Sequence, residues 1–164
     1  MPSANSAAAS NSKALALLRI SVGLLFLIFA QYKVFGTAFT LRGGFQFWIN
    51  KFLEDGAYPF MIPLLRSLVL PHATLIAFTV AYGELAIAMA LLTGIRVRLA
   101  SAFGFLYMLT LLFSSNYPGP HAPLWEYFGA SLDHSVLALC FLSFLVGDAA
   151  AVWSLRAAKH GLVP

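Results

Sequence analysis

Glu84 is the first residue of this sequence at which chemistry can be expected, because it lies near the middle of the apolar stretch 72–95. The stretch is long enough to cross a bilayer, since about 20 residues at a rise of 1.5 Å cover a hydrocarbon core of about 30 Å. A charge at the bilayer centre costs at least about 2.5 to 3.5 kcal/mol. We therefore expect Glu84 to face other helices, where it finds a donor or stays protonated.

Arg19, in the first apolar stretch, is the partner that we predict for Glu84. Its long guanidinium side chain can reach a carboxylate on a neighbouring helix and bind it inside the helix bundle. We expect this polar pair to be structural, so that its loss destabilises more than it inactivates. The alternative is that Arg19 reaches the lipid headgroups, while a neutral Glu84 is hydrogen-bonded to Tyr107 or to a serine.

A second group of polar residues is expected at the opposite ends of the apolar stretches, beside aromatic rings. Histidine donors near an aromatic wall suit a quinone headgroup, because its two carbonyls accept hydrogen bonds and its reduction takes up protons. We predict that this group forms a quinone site between the second and fourth spans. Its residues are His134, His72, His121, Trp125, Tyr127 and Phe128.

Simpler roles exist for several of these side chains. Asp133 suits the start of a helix, where an acidic group is favoured, and His134 can then hydrogen-bond a loop. A metal site is disfavoured because the histidines contain no i, i+4 pair. The lone Cys140 excludes an internal disulfide, a C-x-x-C pair and a covalently attached c-type haem. No catalytic residue is assigned, and the one cofactor considered is a quinone that is not covalently bound.

The composition indicates a membrane protein. Of 164 residues, 60% are apolar and only 10% are charged, whereas a soluble domain has about 25% charged residues. The mean hydropathy is +0.83. The net charge of +4 is scattered without a block of like charges, so a nucleic-acid partner is excluded.

The apolar segments predict an all-α, integral membrane four-helix bundle. We place a mobile tail at 1–12, because these residues are small and polar, and a single transmembrane domain at 13–164. The first span is interpreted as an uncleaved helix, because it is too long for the apolar region of a signal peptide. The four spans are expected at about 14–35, 73–95, 98–115 and 131–153.

The connection 37–71 contains two further segments. In the first, Phe45, Trp48, Ile49, Phe52 and Leu53 follow the spacing of a helix with one apolar stripe, so we expect an interfacial amphipathic helix. In the second, an apolar run of about 11 residues before Pro71 is too short to span. We expect it to pack at the interface or to enter the membrane part way.

The basic residues predict the orientation, because Lys and Arg accumulate on the cytoplasmic side of a membrane protein. The connection 115–130 has no Lys or Arg, whereas the other side of the spans has several. We therefore expect a multi-pass protein of the bacterial inner membrane with both termini cytoplasmic. The residues on the cytoplasmic side would be Lys13, Arg19, Arg96, Arg98, Arg156 and Lys159.

Three segments resemble the DoxX family of small four-helix membrane proteins. They are L-L-R-I-S-V-G-L-L-F-L with Q-Y-K-V-F-G, then A-Y-G-E-L-A-I-A-M-A-L-L-T-G-I-R-V-R-L-A-S, and L-D-H-S-V-L-A-L. The resemblance covers the chain after residue 13 and includes Arg19, Lys33, Glu84, Arg98 and His134. It implies the four-helix bundle and a link to quinone redox chemistry, because the family includes subunits of thiosulfate:quinone oxidoreductase.

These expectations combine into a subunit, or quinone-facing partner, of a membrane oxidoreductase. Its partners would be the lipid bilayer and a redox subunit or further copies of the chain. The alternative is a non-catalytic membrane anchor or assembly factor, favoured by the lack of any motif for a bound cofactor. A transporter is disfavoured, because four short spans with one central carboxylate show neither a repeat nor a pair of broken helices.

Overall fold

The computed structural model describes residues 4–159, and this part of the chain is helical without any strand. A π-helical turn, Leu65–Val69, follows the fourth helix directly. The expected all-α fold class is confirmed. The helices are α1 (Ala4–Phe35), α2 (Thr37–Thr40), α3 (Gly44–Glu54), α4 (Met61–Leu64), α5 (Ala73–Thr93), α6 (Val97–Ser114), α7 (Leu124–Gly129), α8 (Leu132–Val146) and α9 (Leu155–Lys159).

Among residues 4–159, three segments are long and apolar enough to cross a membrane, namely Ala9–Phe35 within α1 and the whole of α5 and α6. Helices suit this environment because every backbone polar group inside them is hydrogen-bonded within the segment. A tight turn joins α5 to α6, and Gly94 and Arg96 adopt left-handed backbone conformations there, with φ of 73° and 53°. Position 94 requires glycine, because an added Cβ would also collide with Ser154.

α8 is shorter than the fourth span predicted at 131–153. It ends at Val146, and residues 147–154 form turns and bends, so the prediction of a helix to Trp153 is wrong. Gly147 leaves the helix in an extended conformation and packs closely on α1, where an added Cβ would lie 2.8 Å from Leu15. With 15 residues, α8 rises only about 22 Å.

α1 begins earlier than we expected. Residues 1–12 were predicted to be a mobile tail, but the helix starts at Ala4, so most of this segment is helical rather than unstructured. Four of its residues are alanine, which has the highest helix propensity. Residues 1–3 and 160–164 lie outside the described residues.

The four longest helices pack around a common core. α1 lies along α5 and α6 lies along α8, and contacts of α5 with α6 and of α1 with α8 join the two pairs. A small residue permits the close approach of α6 and α8, because a Cβ at Gly104 would collide with the ring of Phe141. Phe141 in turn meets Phe26 of α1 edge to face, with ring centroids 5.2 Å apart. The packing thus brings residues from all four helices to one interior.

The connection between α1 and α5 folds into a second packed unit. α2 and α3 lie against α5, and α3 also contacts the π-helical turn. In α3, Phe45 and Ile49 are buried in a cluster that includes Ala73 and Ala77 of α5, while Trp48 is 49% exposed. The first turns of α5 are therefore covered by this connection rather than by α1.

Candidate functional site

Glu84 on α5 is the centre of a buried polar group and is only 5% exposed. Its Oε1 accepts hydrogen bonds from Lys33 Nζ and from the Tyr107 hydroxyl, each at 2.5 Å. Lys33 belongs to α1 and Tyr107 to α6, so one carboxylate oxygen joins three helices. The other oxygen, Oε2, is buried and has no hydrogen-bond partner among the described residues. The group is an ion pair with one free acceptor.

Lys33 reaches this carboxylate because α1 ends beside the middle of α5. It lies two residues before the end of α1, whereas Glu84 lies eleven residues, about 16 Å, beyond the start of α5. The ring of Phe39 in α2 covers the ammonium group at 5.0 Å, a favourable cation–π distance. As a result the Lys33 side chain is only 16% exposed.

The predicted Arg19–Glu84 pair is wrong. Arg19 is fully buried, but its guanidinium donates to the carbonyl oxygens of Leu91 and, at 2.6 Å, of Trp153. Leu91 lies in the last turn of α5, where carbonyls lack helical partners and the helix dipole favours a cation. Glu84 is seven residues from Leu91, about 10 Å along the helix, so it lies out of reach. The alternative expectation of a Tyr107 hydrogen bond to Glu84 is confirmed.

A cavity of about 480 Å³ lies between α5 and α6 and has Glu84 and Tyr107 in its wall. The remaining wall is almost wholly apolar, with Ala90 on α5 and Phe103 on α6, and Arg96 lines it at the turn between the helices. The volume falls in the range of about 300 to 1,000 Å³ that is typical of small-molecule sites. Because Phe103 is 61% exposed, the cavity borders the outer surface of the helix pair.

The six residues predicted to bind a quinone do not line this cavity. His72 and His121 are exposed, and His72 Nδ1 lies 2.9 Å from the carbonyl oxygen of Leu68. His134 is half-buried with its Nδ1 at 3.4 Å from the Asp133 carboxylate. Within residues 4–159, no hydrogen bond or ion pair joins His134 to either of the other two histidines. Their convergence on one ligand stays a prediction.

The three aromatic residues predicted to wall the quinone all lie on α7 and differ in their contacts. Trp125 and Phe128 on α7 are 69% and 51% exposed. Tyr127 instead donates its hydroxyl proton to the carbonyl oxygen of Gly119 at 2.7 Å, and its ring lies 6.3 Å from that of Tyr58. Tyr127 is thus part of the packing of the connecting segments. A quinone site at His134 stays a prediction.

Lys33 is the partner of Glu84 that sequence reasoning missed. It lies at the end of the first apolar stretch, whereas Glu84 lies near the middle of the second, so the two were not expected to meet. The length of the connection 37–71 was the available signal, since a segment with its own helices can cover the first half of α5. α1 then ends at the level of Glu84 instead of the level of Ala73.

The fold and the buried site together define an integral membrane protein whose apolar helices enclose a Lys–Glu–Tyr group. Residues 14–116 match the model of the DoxX family. The match covers more than half of the chain, so the protein belongs to the DoxX family, as its sequence predicted. It includes Lys33, Glu84 and Tyr107, whereas α8 and His134 lie outside it. No curated protein and no solved structure matches the chain.

Proposed function

We propose that this protein is the quinone-facing subunit or partner of a membrane oxidoreductase. The observation that carries the proposal is the Lys33–Glu84–Tyr107 group in the wall of the cavity between α5 and α6. Quinone chemistry needs an apolar site with few polar groups that bind oxygen atoms and hold protons. This cavity combines an almost wholly apolar wall with one carboxylate and one phenol.

The chain's own residues have distinct tasks in this proposal. A bound quinone supplies a lipid-soluble carrier of two electrons and two protons. Ile87 and Phe103 exclude water and pack against the ring, while the Glu84 carboxylate accepts a hydrogen bond from the bound molecule and Tyr107 orients that carboxylate. Lys33 balances the charge of the carboxylate inside the helices. A partner redox subunit is the source of electrons in this proposal.

The membrane arrangement is part of the proposal. α8 acts as the fourth spanning helix, so that the four longest helices form a bundle in the bacterial inner membrane with both termini cytoplasmic. Its apolar sequence and its contacts with α6 support this assignment. α3 lies in the interface, with Asn50 and Glu54 towards water, because both are exposed opposite the buried Phe45 and Ile49.

The test is an equilibrium titration of a short-chain ubiquinone or menaquinone analogue against the purified protein in lipid nanodiscs. We expect saturable binding that weakens at least about tenfold in Ala90→Leu, since the larger side chain fills the cavity. His134→Ala is the matched comparison, because His134 lies outside the cavity. No saturable binding would contradict the proposal. A loss of binding confined to His134→Ala would indicate that the quinone site lies at α8.

One observation favours the alternative of a non-catalytic anchor or assembly factor. Glu84 Oε1 ties α1, α5 and α6 together through Lys33 and Tyr107, which is also what a purely structural polar group does. An anchor would retain its partner complex when the cavity is filled. Two results together would favour this alternative. The Ala90→Leu protein would co-purify with that complex, and the wild type would not bind a quinone.

A further inference from the structure

We propose that the cavity between α5 and α6 binds the reduced, hydroxyl-bearing form of a quinone more tightly than the oxidised, dicarbonyl form. This inference rests on the proposed function and adds a preference between redox states. It follows from a count of the donors and acceptors that belong to the residues at the Glu84 end of the cavity.

The donors at the Glu84 end of the cavity are already engaged. Tyr107 has one hydroxyl proton, and it is donated to Glu84 Oε1 at 2.5 Å. Lys33 donates to the same oxygen and does not line the cavity. Thr79, which also lines the cavity, donates its hydroxyl proton to the carbonyl oxygen of Leu75 at 3.0 Å. A ligand that enters this end therefore meets no free hydroxyl proton.

The acceptor at the same end is free. Glu84 Oε2 is buried and has no partner among the residues that the structure describes, although Glu84 itself lines the cavity. Oε1 forms the ion pair with the Lys33 ammonium group at 2.5 Å, and a carboxylate accepts hydrogen bonds and donates none. The complementary ligand group is consequently an O–H group.

The two redox forms of a quinone differ in this respect. A quinol hydroxyl donates to Oε2, whereas a quinone carbonyl placed there leaves two acceptors facing each other without a proton. Leaving a buried acceptor unpaired lowers affinity by roughly 5-fold to 150-fold. Arg96, in the turn beyond Gly94, does not alter the comparison, because a guanidinium donates equally to a carbonyl and to a hydroxyl oxygen and so leaves the difference at Oε2 unchanged.

The preference has a consequence for the direction of electron flow. Tighter binding of the reduced form by tenfold raises the midpoint potential of the bound couple by about 30 mV for two electrons. A quinone in this cavity is therefore a better electron acceptor than one free in the bilayer. The site is suited to receive electrons from a donor rather than to deliver them.

The experiment compares both redox forms of one short-chain quinone on the same nanodisc preparation, with the reduced form kept under anaerobic dithionite. We expect the wild type to bind the reduced form at least about tenfold more tightly. Glu84→Gln replaces the free acceptor by an amide donor, so the ratio should fall to one or below. Leu139→Ala, on the exposed face of α8, is the control and should keep the wild-type ratio.

Each outcome either supports or overturns the proposed redox preference. Equal affinities, or tighter binding of the oxidised form, overturn the redox preference and leave the quinone-facing function standing. Saturable binding of neither form overturns both. If Glu84→Gln does not fold, Glu84→Asp provides the second variant, because its carboxylate is withdrawn by one methylene and the ratio should fall severalfold. An unchanged preference in Glu84→Asp would show that Oε2 is not its cause.

Discussion

The ion pair between Lys33 and Glu84 leads to a quantitative prediction, because Lys51 and Asp55 form a second pair with the same N–O distance and different burial. Both pairs have N–O distances of 2.5 Å, but the side chains of Lys33 and Glu84 are 16% and 6% exposed, whereas those of Lys51 and Asp55 are 45% and 35% exposed. Water screens the second pair far more than the first. The Lys33–Glu84 pair should therefore have the larger coupling energy.

The magnitude follows from the contacts of Glu84. Removing one partner of a buried pair typically costs about 3 to 5 kcal/mol, and Glu84→Ala also deprives the Tyr107 hydroxyl of its acceptor. Because Lys33 retains some contact with solvent, we expect the lower end, about 3 kcal/mol. The coupling between Lys33→Met and Glu84→Leu in a double-mutant cycle should be about 2 kcal/mol.

The assay is reversible unfolding in mixed micelles of increasing dodecyl sulfate fraction, followed by circular dichroism. The same cycle with Lys51→Met and Asp55→Leu is the control, and its coupling should be close to the error of measurement. Equal couplings for the two pairs would refute the argument from burial. A coupling of zero for Lys33 and Glu84 would show that their contact does not stabilise the protein at all.

Three further predictions concern helix packing, the buried arginine and the interface. Gly104→Ala should destabilise the protein by about 1 to 3 kcal/mol in the same unfolding assay, because the added Cβ meets the packed ring of Phe141. Gly83→Ala is the control and should be neutral, because an added Cβ there has no neighbour within 4 Å. Equal effects of the two substitutions would contradict the described packing. Arg19→Met should release the segment 147–154 and speed its cleavage by protease, and an unchanged rate would show that the buried cation does not hold it. In a variant that retains only Trp48 of the three tryptophans, the tryptophan fluorescence should be quenched more by lipids brominated near the headgroup than by lipids brominated near the chain end. The reverse order would place α3 deep in the bilayer.

Much of the fold was accessible from the sequence because apolar runs long enough to span a membrane leave few alternatives. α5 and α6 begin within one residue of their predicted starts at 73 and 98. The end of α8 was missed because Gly147 lies in an apolar alanine-rich segment, where hydropathy does not distinguish a helix from a buried turn. The conformation there depends on close packing against Leu15, a contact that no local pattern reveals.

The candidate site was predicted only in part, because its contacts depend on tertiary packing as well as on the residues themselves. Glu84 was identified because a carboxylate in an apolar run needs a partner, and Tyr107 was named as one of its possible donors. Arg19 was chosen because its long side chain can reach a carboxylate on a neighbouring helix, an argument that does not include the shift of one helix along the other. The relative shift of α1 and α5 depends on the tertiary packing of the connection 37–71, so it could not be predicted from either helix alone.

Arg19 also imposes an order of events on the synthesis of the chain. Its acceptor at Trp153 is 134 residues further along the sequence, and the partner of Lys33 is 51 residues beyond it. At about 5 to 20 residues per second, ribosomes need about 7 to 27 s to supply the carbonyl of Trp153 after Arg19 has been made. Until Glu84 has been made, α1 carries two cations without their final partners, and Arg19 lacks the Trp153 carbonyl for the rest of the interval, which disfavours the release of α1 into lipid. The first helix to be synthesised therefore completes its contacts only after Trp153 has been made.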